Sequence, residues 1–155
     1  MRFITLWTIV FLCSPVFGDE TSNNNDPESS VTVQVDLSTK GNNIEFDQKA
    51  IEVPFGKTVF LVFKNQANPD SQIDHNIIIL KPGSEDRFIK DMQKVSYNLE
   101  KLKLDKDIVA FSKRISPGEE TTVSFTPEKP GFYPYMCTMP GHGDILGMRG
   151  IMHVK

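Results

Sequence analysis

The closing stretch YPYMCTMPGHGDILGMRGIMHVK, residues 133–155, holds Cys137, His142, His153 and four of the six methionines. Thiolates, thioethers and imidazoles are soft or borderline metal donors. Cys137 is followed by His142 after five residues and by Met148 after six more. A third histidine, His75, stands far upstream at the head of the β-branched run HNIIIL. The donor types select the metal. A thiolate with a thioether is a soft pair that suits copper, and two imidazoles, one thiolate and a weak axial thioether are the set used by blue-copper electron-transfer sites. Zinc would accept both histidines and the cysteine, but it rarely takes a thioether and would close its tetrahedron with Asp144 or a second cysteine. Iron–sulfur clusters need more thiolates than the chain has. The expected ligands of one Cu(I)/Cu(II) ion are therefore His75, Cys137, His142 and Met148. His153 alternates with Met152 on an expected strand and has nothing beside it to complete a set. Met136, Met139 and Met152 read as adaptable packing residues.

Such a site needs elements that bring residues 75 and 137–148 together. VTVQVDL alternates Val31, Val33, Val35 and Leu37 on one face, the period of a half-buried strand. NNIEF and AIEV suggest two more short strands. KTVFLVFKN is apolar on both faces and belongs inside a sheet, and HNIIIL, DIVAFSKR, ETTVSFT, GFYPYMC and RGIMHV follow, with turn signals at SPGE and EKPG. About eight short strands at this spacing predict an all-β, Greek-key β-sandwich. Cys137 then ends one strand and Met148 precedes the next, so the loop between them carries ligands. One segment breaks the pattern: Phe88, Met92, Val95, Leu99 and Leu102 recur at three- and four-residue steps, with Ser84 as N-cap and Glu85 and Asp86 in the first turn. It predicts a helical insertion packed by that stripe.

The first 18 residues combine Arg2 with an apolar run too short to span a bilayer, and read as a secretory signal peptide cleaved after Gly18. Residues 19–30, DETSNNNDPESS, lack apolar side chains and read as a flexible polar tail, which leaves one domain over residues 31–155. Losing the leader removes Arg2 and no acid, so the 17 basic residues become 16 against 20 acidic ones, a net charge of −4. That balance argues against nucleic acid, whose phosphates call for clustered Lys and Arg. The expected mature chain keeps one thiol in a compartment where thiols pair, which again marks Cys137 as a metal-protected ligand, a buried inert residue or an intermolecular link.

The stretches DHNIIIL, PGEETTVSFTPEKPGFYPY and YPYMCTMPGH resemble the cupredoxins, and within them the azurin and auracyanin type, over residues 31–155. His75 followed by Asn76, the run from Gly131 to Cys137, and His142 after Pro140 and Gly141 carry the likeness. Two features differ. Met148 lies six residues past the histidine, where azurin-like loops place methionine four or five past it, and no cysteines remain for the azurin disulfide. The resemblance implies a type 1 copper site in which Cys137 couples electronically to the metal, His75 and His142 hold the equatorial plane, and Met148 tunes the potential from a long axial contact. It also implies a second axial donor in the Asp74 carbonyl, and a link between the two ligand loops through Asn76.

The function expected is an exported, periplasmic or extracellular carrier of single electrons; a copper storage or delivery protein is the alternative. A copper enzyme with a second, catalytic copper would need more histidines than the spare His153. By the same resemblance, redox proteins such as a cytochrome or an oxidoreductase would dock on an apolar rim of Met139, Pro140, Gly141, Ile145 and Leu146 around His142. Asp144 would favour a partner presenting a basic group. A monomer with no membrane span and no nucleic-acid partner is expected.

Overall fold

The structure, a computed structural model, describes residues 32–155. The expected leader and tail, with Val31, lie outside them. Eight strands and one α-helix follow in order: β1 (Thr32–Ser38), β2 (Ala50–Val53), β3 (Thr58–Lys64), β4 (Ile78–Leu80), α1 (Glu85–Lys94), β5 (Ile108–Phe111), β6 (Glu120–Phe125), β7 (Gly131–Met136) and β8 (Arg149–Val154). They form a three-stranded sheet, β1-β3-β6, and a five-stranded sheet, β2-β8-β7-β4-β5. β1 runs parallel to β3 and β2 parallel to β8, while the other pairings are antiparallel. This is the expected β-sandwich.

Alternation places the core. Leu37, Val59, Leu61, Phe63, Val123, Tyr133, Tyr135, Met152 and Val154 are buried between the sheets. β3 is the centre of its sheet, as its apolar run predicts. Its outer face is open, and Phe60 is exposed there. NNIEF forms no strand; Phe46 makes a single antiparallel bridge to Thr39. HNIIIL also yields less strand than expected, because β4 starts at Ile78 and His75 is held by an isolated bridge to Ile115. The run is apolar throughout because it serves two cores. Ile77 and Ile79 face the main one, whereas Ile78 and Leu80 face a second one under the helix.

That second core contains Phe88, Met92 and Met136, with Leu99 and Leu102 half-buried against it. Full burial of Phe88 contributes about 1.5–3 kcal/mol. The helix is shorter than the apolar stripe suggests. It stops at Lys94, and Ser96 and Tyr97 take left-handed φ values of 53° and 59° before a short 3₁₀ turn at Leu99–Lys101. Ser84 is the N-cap by position, but its hydroxyl donates to the Lys81 carbonyl at 2.7 Å and caps no helical amide.

Candidate metal centre

Three of the four expected ligands meet at one end of the sandwich. Cys137 directly follows β7, and its amide donates to the Met148 carbonyl at 3.1 Å. The Met148 amide donates to His142 carbonyl oxygen at 2.9 Å, and the His142 amide to that of Met139 at 2.9 Å. These bonds fold residues 137–148 into a closed loop between β7 and β8. Gly143 is needed where the loop presses on the strand end: a Cβ there would sit 2.5 Å from the Cys137 carbonyl oxygen. From the other ligand segment, His75 exchanges backbone hydrogen bonds of 3.0 and 2.8 Å with Ile115, which fixes its position beside the loop.

The donor spacing fits a metal ion. His75 Nδ1 lies 3.8 Å and His142 Nδ1 3.5 Å from Cys137 Sγ, and all three donor atoms lie within 4.8 Å of one another. Metal–sulfur and metal–nitrogen bonds of about 2.3 and 2.0 Å, at angles between tetrahedral and trigonal, would separate sulfur from nitrogen by about 3.5–3.8 Å. No acidic side chain joins the set. Met148 is fully buried in the same core as Cys137, tied to both Cys137 and His142 through its backbone. Thiolate, two imidazoles and an adjoining thioether suit one copper ion in a type 1 site.

Burial sets the protonation of the donors. Loss of solvent drives the His75 imidazole down to about 4, helped by His142 and opposed by Asp74. Burial also lowers His142. Both rings are therefore neutral at pH 7, the state in which imidazole ligates. Burial pushes the Cys137 thiol up to about 11, against hydrogen bonds from the backbone amides of Asn76 and Met139. His75 Nε2 is buried without a partner. Such an orphan costs about 1–3 kcal/mol. The ring stands where Nδ1 faces the sulfur, not where both nitrogens are satisfied.

Asn76 joins the two ligand segments, as expected. Its amide nitrogen donates to Thr138 Oγ1 at 2.6 Å, and its oxygen accepts the Thr138 amide at 2.8 Å and the Cys137 thiol at 3.5 Å. His153 lies elsewhere, stacked on Phe132 with ring centroids 4.5 Å apart and 3.8 Å from Glu52. Met136 and Met152 are core residues. Ile145 and Leu146 are exposed next to His142, at 76% and 58% of their full surface.

Asp144, whose charge is expected to favour a basic partner, also makes contacts within the chain. Its Oδ2 accepts hydrogen bonds from Gln93 at 2.9 Å and from the Tyr97 hydroxyl at 2.5 Å. Burial works to raise this carboxyl, yet those bonds and two backbone amides hold it below its ordinary value. Gln93 and Tyr97 were not among the residues singled out from sequence. Nothing in the spacing of a helical stripe signals a contact from residue 97 to residue 144.

Residues 33–155 match the family model of copper binding proteins of the plastocyanin/azurin family. Auracyanin-A of Chloroflexus aurantiacus is 30% identical over 117 residues, which cover 74% of this chain and 70% of that relative. Outer membrane protein H.8 of Neisseria gonorrhoeae is 30% identical over 108 residues, 67% of this chain and 59% of that relative. The solved structure of auracyanin A, described as a blue copper protein, superposes with a TM-score of 0.68 at 29% identity and covers 81% of this chain and 100% of that one.

Proposed function

The chain belongs to the plastocyanin/azurin family of copper-binding proteins, and from that premise we propose that it carries single electrons between redox partners. The reading assigns His75, Cys137, His142 and Met148 as ligands of the copper. It rests above all on one observation: two imidazole Nδ1 atoms converge on a buried cysteine sulfur at 3.8 and 3.5 Å. A bound copper ion would supply a one-electron couple. The chain's own residues do the rest. Cys137 provides the thiolate, and the amides of Asn76 and Met139 stabilise its negative charge. His75 and His142 offer neutral rings, and Asn76 holds the two segments at fixed separation. A site whose donors are fixed by backbone bonds and packing changes little with oxidation state, and this favours rapid electron exchange. The same enclosure opposes storage or delivery, which requires the metal to leave.

Export to the periplasm or beyond fits the leader read in residues 1–18, the tail at 19–30 and the domain at 31–155. A relative called an outer membrane protein supports that reading. Among the described residues no helix is long and apolar enough to cross a membrane. We assign the docking surface for a cytochrome or oxidoreductase to the rim around His142, where Ile145 and Leu146 are exposed, and assign the protein no enzymatic step. The monomer is taken as the working form.

The test is spectroscopic. Cu(II)-loaded protein should show intense visible absorption from thiolate-to-copper charge transfer, and Cys137→Ser should remove it. The loaded protein should also cycle between redox states without releasing copper. A colourless wild-type complex would overturn the ligand assignment, and release of copper on reduction would favour delivery over electron transfer.

A further inference from the structure

Besides the bonds between Asn76 and Thr138, the ligand loop makes side-chain contacts with the helical insertion. Asp144, two residues past His142, accepts hydrogen bonds from Gln93 on α1 and from Tyr97 just beyond it, at 2.9 and 2.5 Å. Its other oxygen accepts the Ile145 amide at 3.0 Å. At the loop's far end Arg149, next to Met148, pairs with Glu85 in the first turn of α1 at 3.0 Å. The insertion thus grips the C-terminal half of the loop at two points.

Tyr97 reaches Asp144 from a conformation that costs energy. Ser96 and Tyr97 both have left-handed φ, and the Tyr97 amide closes back on the Met92 carbonyl at 2.8 Å. Non-glycine residues hold this conformation when the surroundings over-determine it, and such positions cluster at functional sites. The surroundings here are specific. The half-buried Tyr97, with Ile89 and Met92, lines a small cavity that Cys137, Gly143 and Asp144 also line.

We infer that Tyr97 is a positioning residue for the metal centre: through Asp144 it pins the loop that carries His142, so the helical insertion sets the spacing of His142 from Cys137. The consequence for copper rests on the proposed ligand role of His142. The restraint on the loop does not.

The experiment therefore has two arms. In the metal-free protein, hydrogen exchange is followed at the Leu146 and Met148 amides, which donate to the Gly141 and His142 carbonyls at 2.9 Å each. Tyr97→Phe keeps the ring and deletes one hydrogen bond to a charged acceptor. It should speed exchange at these amides about tenfold, and Tyr97→Phe with Gln93→Ala should speed it further, while amides of β3 keep wild-type rates. Asp144→Ala should match the double variant. Asp144→Asn, which retains an acceptor oxygen, should restore most of the protection. Unchanged loop exchange, or equal acceleration in β3, would overturn the proposal. In the second arm, paramagnetic resonance of Cu(II)-loaded Tyr97→Phe should show altered copper coupling at full copper occupancy. A wild-type signal would overturn the link from Tyr97 to the metal centre and leave the electron-carrier reading intact. A wild type without a thiolate–copper signal would overturn that reading and leave the exchange result to decide the brace.

Discussion

Gly143→Ala probes how closely the ligand loop is seated. Gly143 is buried with a φ outside the left-handed region, so alanine meets no backbone strain there, only a lack of space. The new Cβ would lie 2.5 Å from the Cys137 carbonyl oxygen, whereas carbon–oxygen contacts settle at about 3.3 Å or more. Roughly 0.8 Å must be recovered. Neither side is a flexible side chain, since one is a strand end and the other a closed loop. Shared equally, each backbone moves about 0.4 Å, near the tolerance of about 0.5 Å within which such sites keep their geometry. Overpacking of this kind costs about 1–3 kcal/mol. Gly118→Ala is the matched control. Gly118 sits at φ +84° in the turn before β6 with nothing within 4 Å of its new Cβ, so it loses about 1–2 kcal/mol through strain alone. Urea unfolding of both variants should show comparable losses. Only Gly143→Ala should change the visible and paramagnetic-resonance spectra of the Cu(II)-loaded protein, because it displaces His142 relative to Cys137. An unaltered Gly143→Ala spectrum, or an equal change in Gly118→Ala, would refute the claim that loop seating sets the site.

Met148→Leu should raise the reduction potential and leave copper bound, as read by voltammetry and metal analysis; loss of copper would make Met148 structural. Asn76→Ala strands the buried Thr138 amide and hydroxyl and should cost about 1–3 kcal/mol in urea unfolding, with a lowered copper affinity in competition titrations; an unchanged affinity would remove Asn76 from the site. Metal-free protein should lose stability as pH falls from 6.5 through 4. The folded His75 titrates at about 4, below its ordinary 6.5, so its contribution is complete above 6.5 and disappears as the buried ring is forced to charge. Thermal melts of His75→Gln should fall less steeply over that window; parallel curves would mean that His75 does not control it.

What the sequence disclosed and what it hid follow from the range of the interactions. Alternation in residues 31–37 and 120–125 is local, and it located the strands. Donor chemistry is a property of residue type, so His75, Cys137 and His142 could be chosen before their 3.5–3.8 Å separations were known. Boundaries were less legible. The unbroken run at 77–80 looked like one long strand because two separate cores each take alternate residues from it. The apolar stripe running on to Leu102 concealed the end of α1, because Leu99 and Leu102 still pack against the helix core after the chain has turned through Ser96 and Tyr97. The contacts of Asp144 are hidden for a related reason: a carboxylate in an exposed-looking loop gives no local sign that residues 93 and 97 donate to it.

The protonation of the three close donors explains why so buried a polar cluster can exist before metal arrives. Burial disfavours charge, and each donor responds by taking its neutral form: the imidazoles lose their extra proton and the thiol keeps its own. The metal-free site is therefore uncharged, so it escapes the several kcal/mol that an unpaired buried ion costs. Two of the three donors are already in their ligating state. Only Cys137 must change, giving up one proton to become a thiolate, and the backbone amides of Asn76 and Met139 favour that charged form. Those amides belong to the two segments that the bonds between Asn76 and Thr138 hold together. The same backbone that folds the sandwich therefore stabilises the thiolate, and little rearrangement remains for the metal to impose.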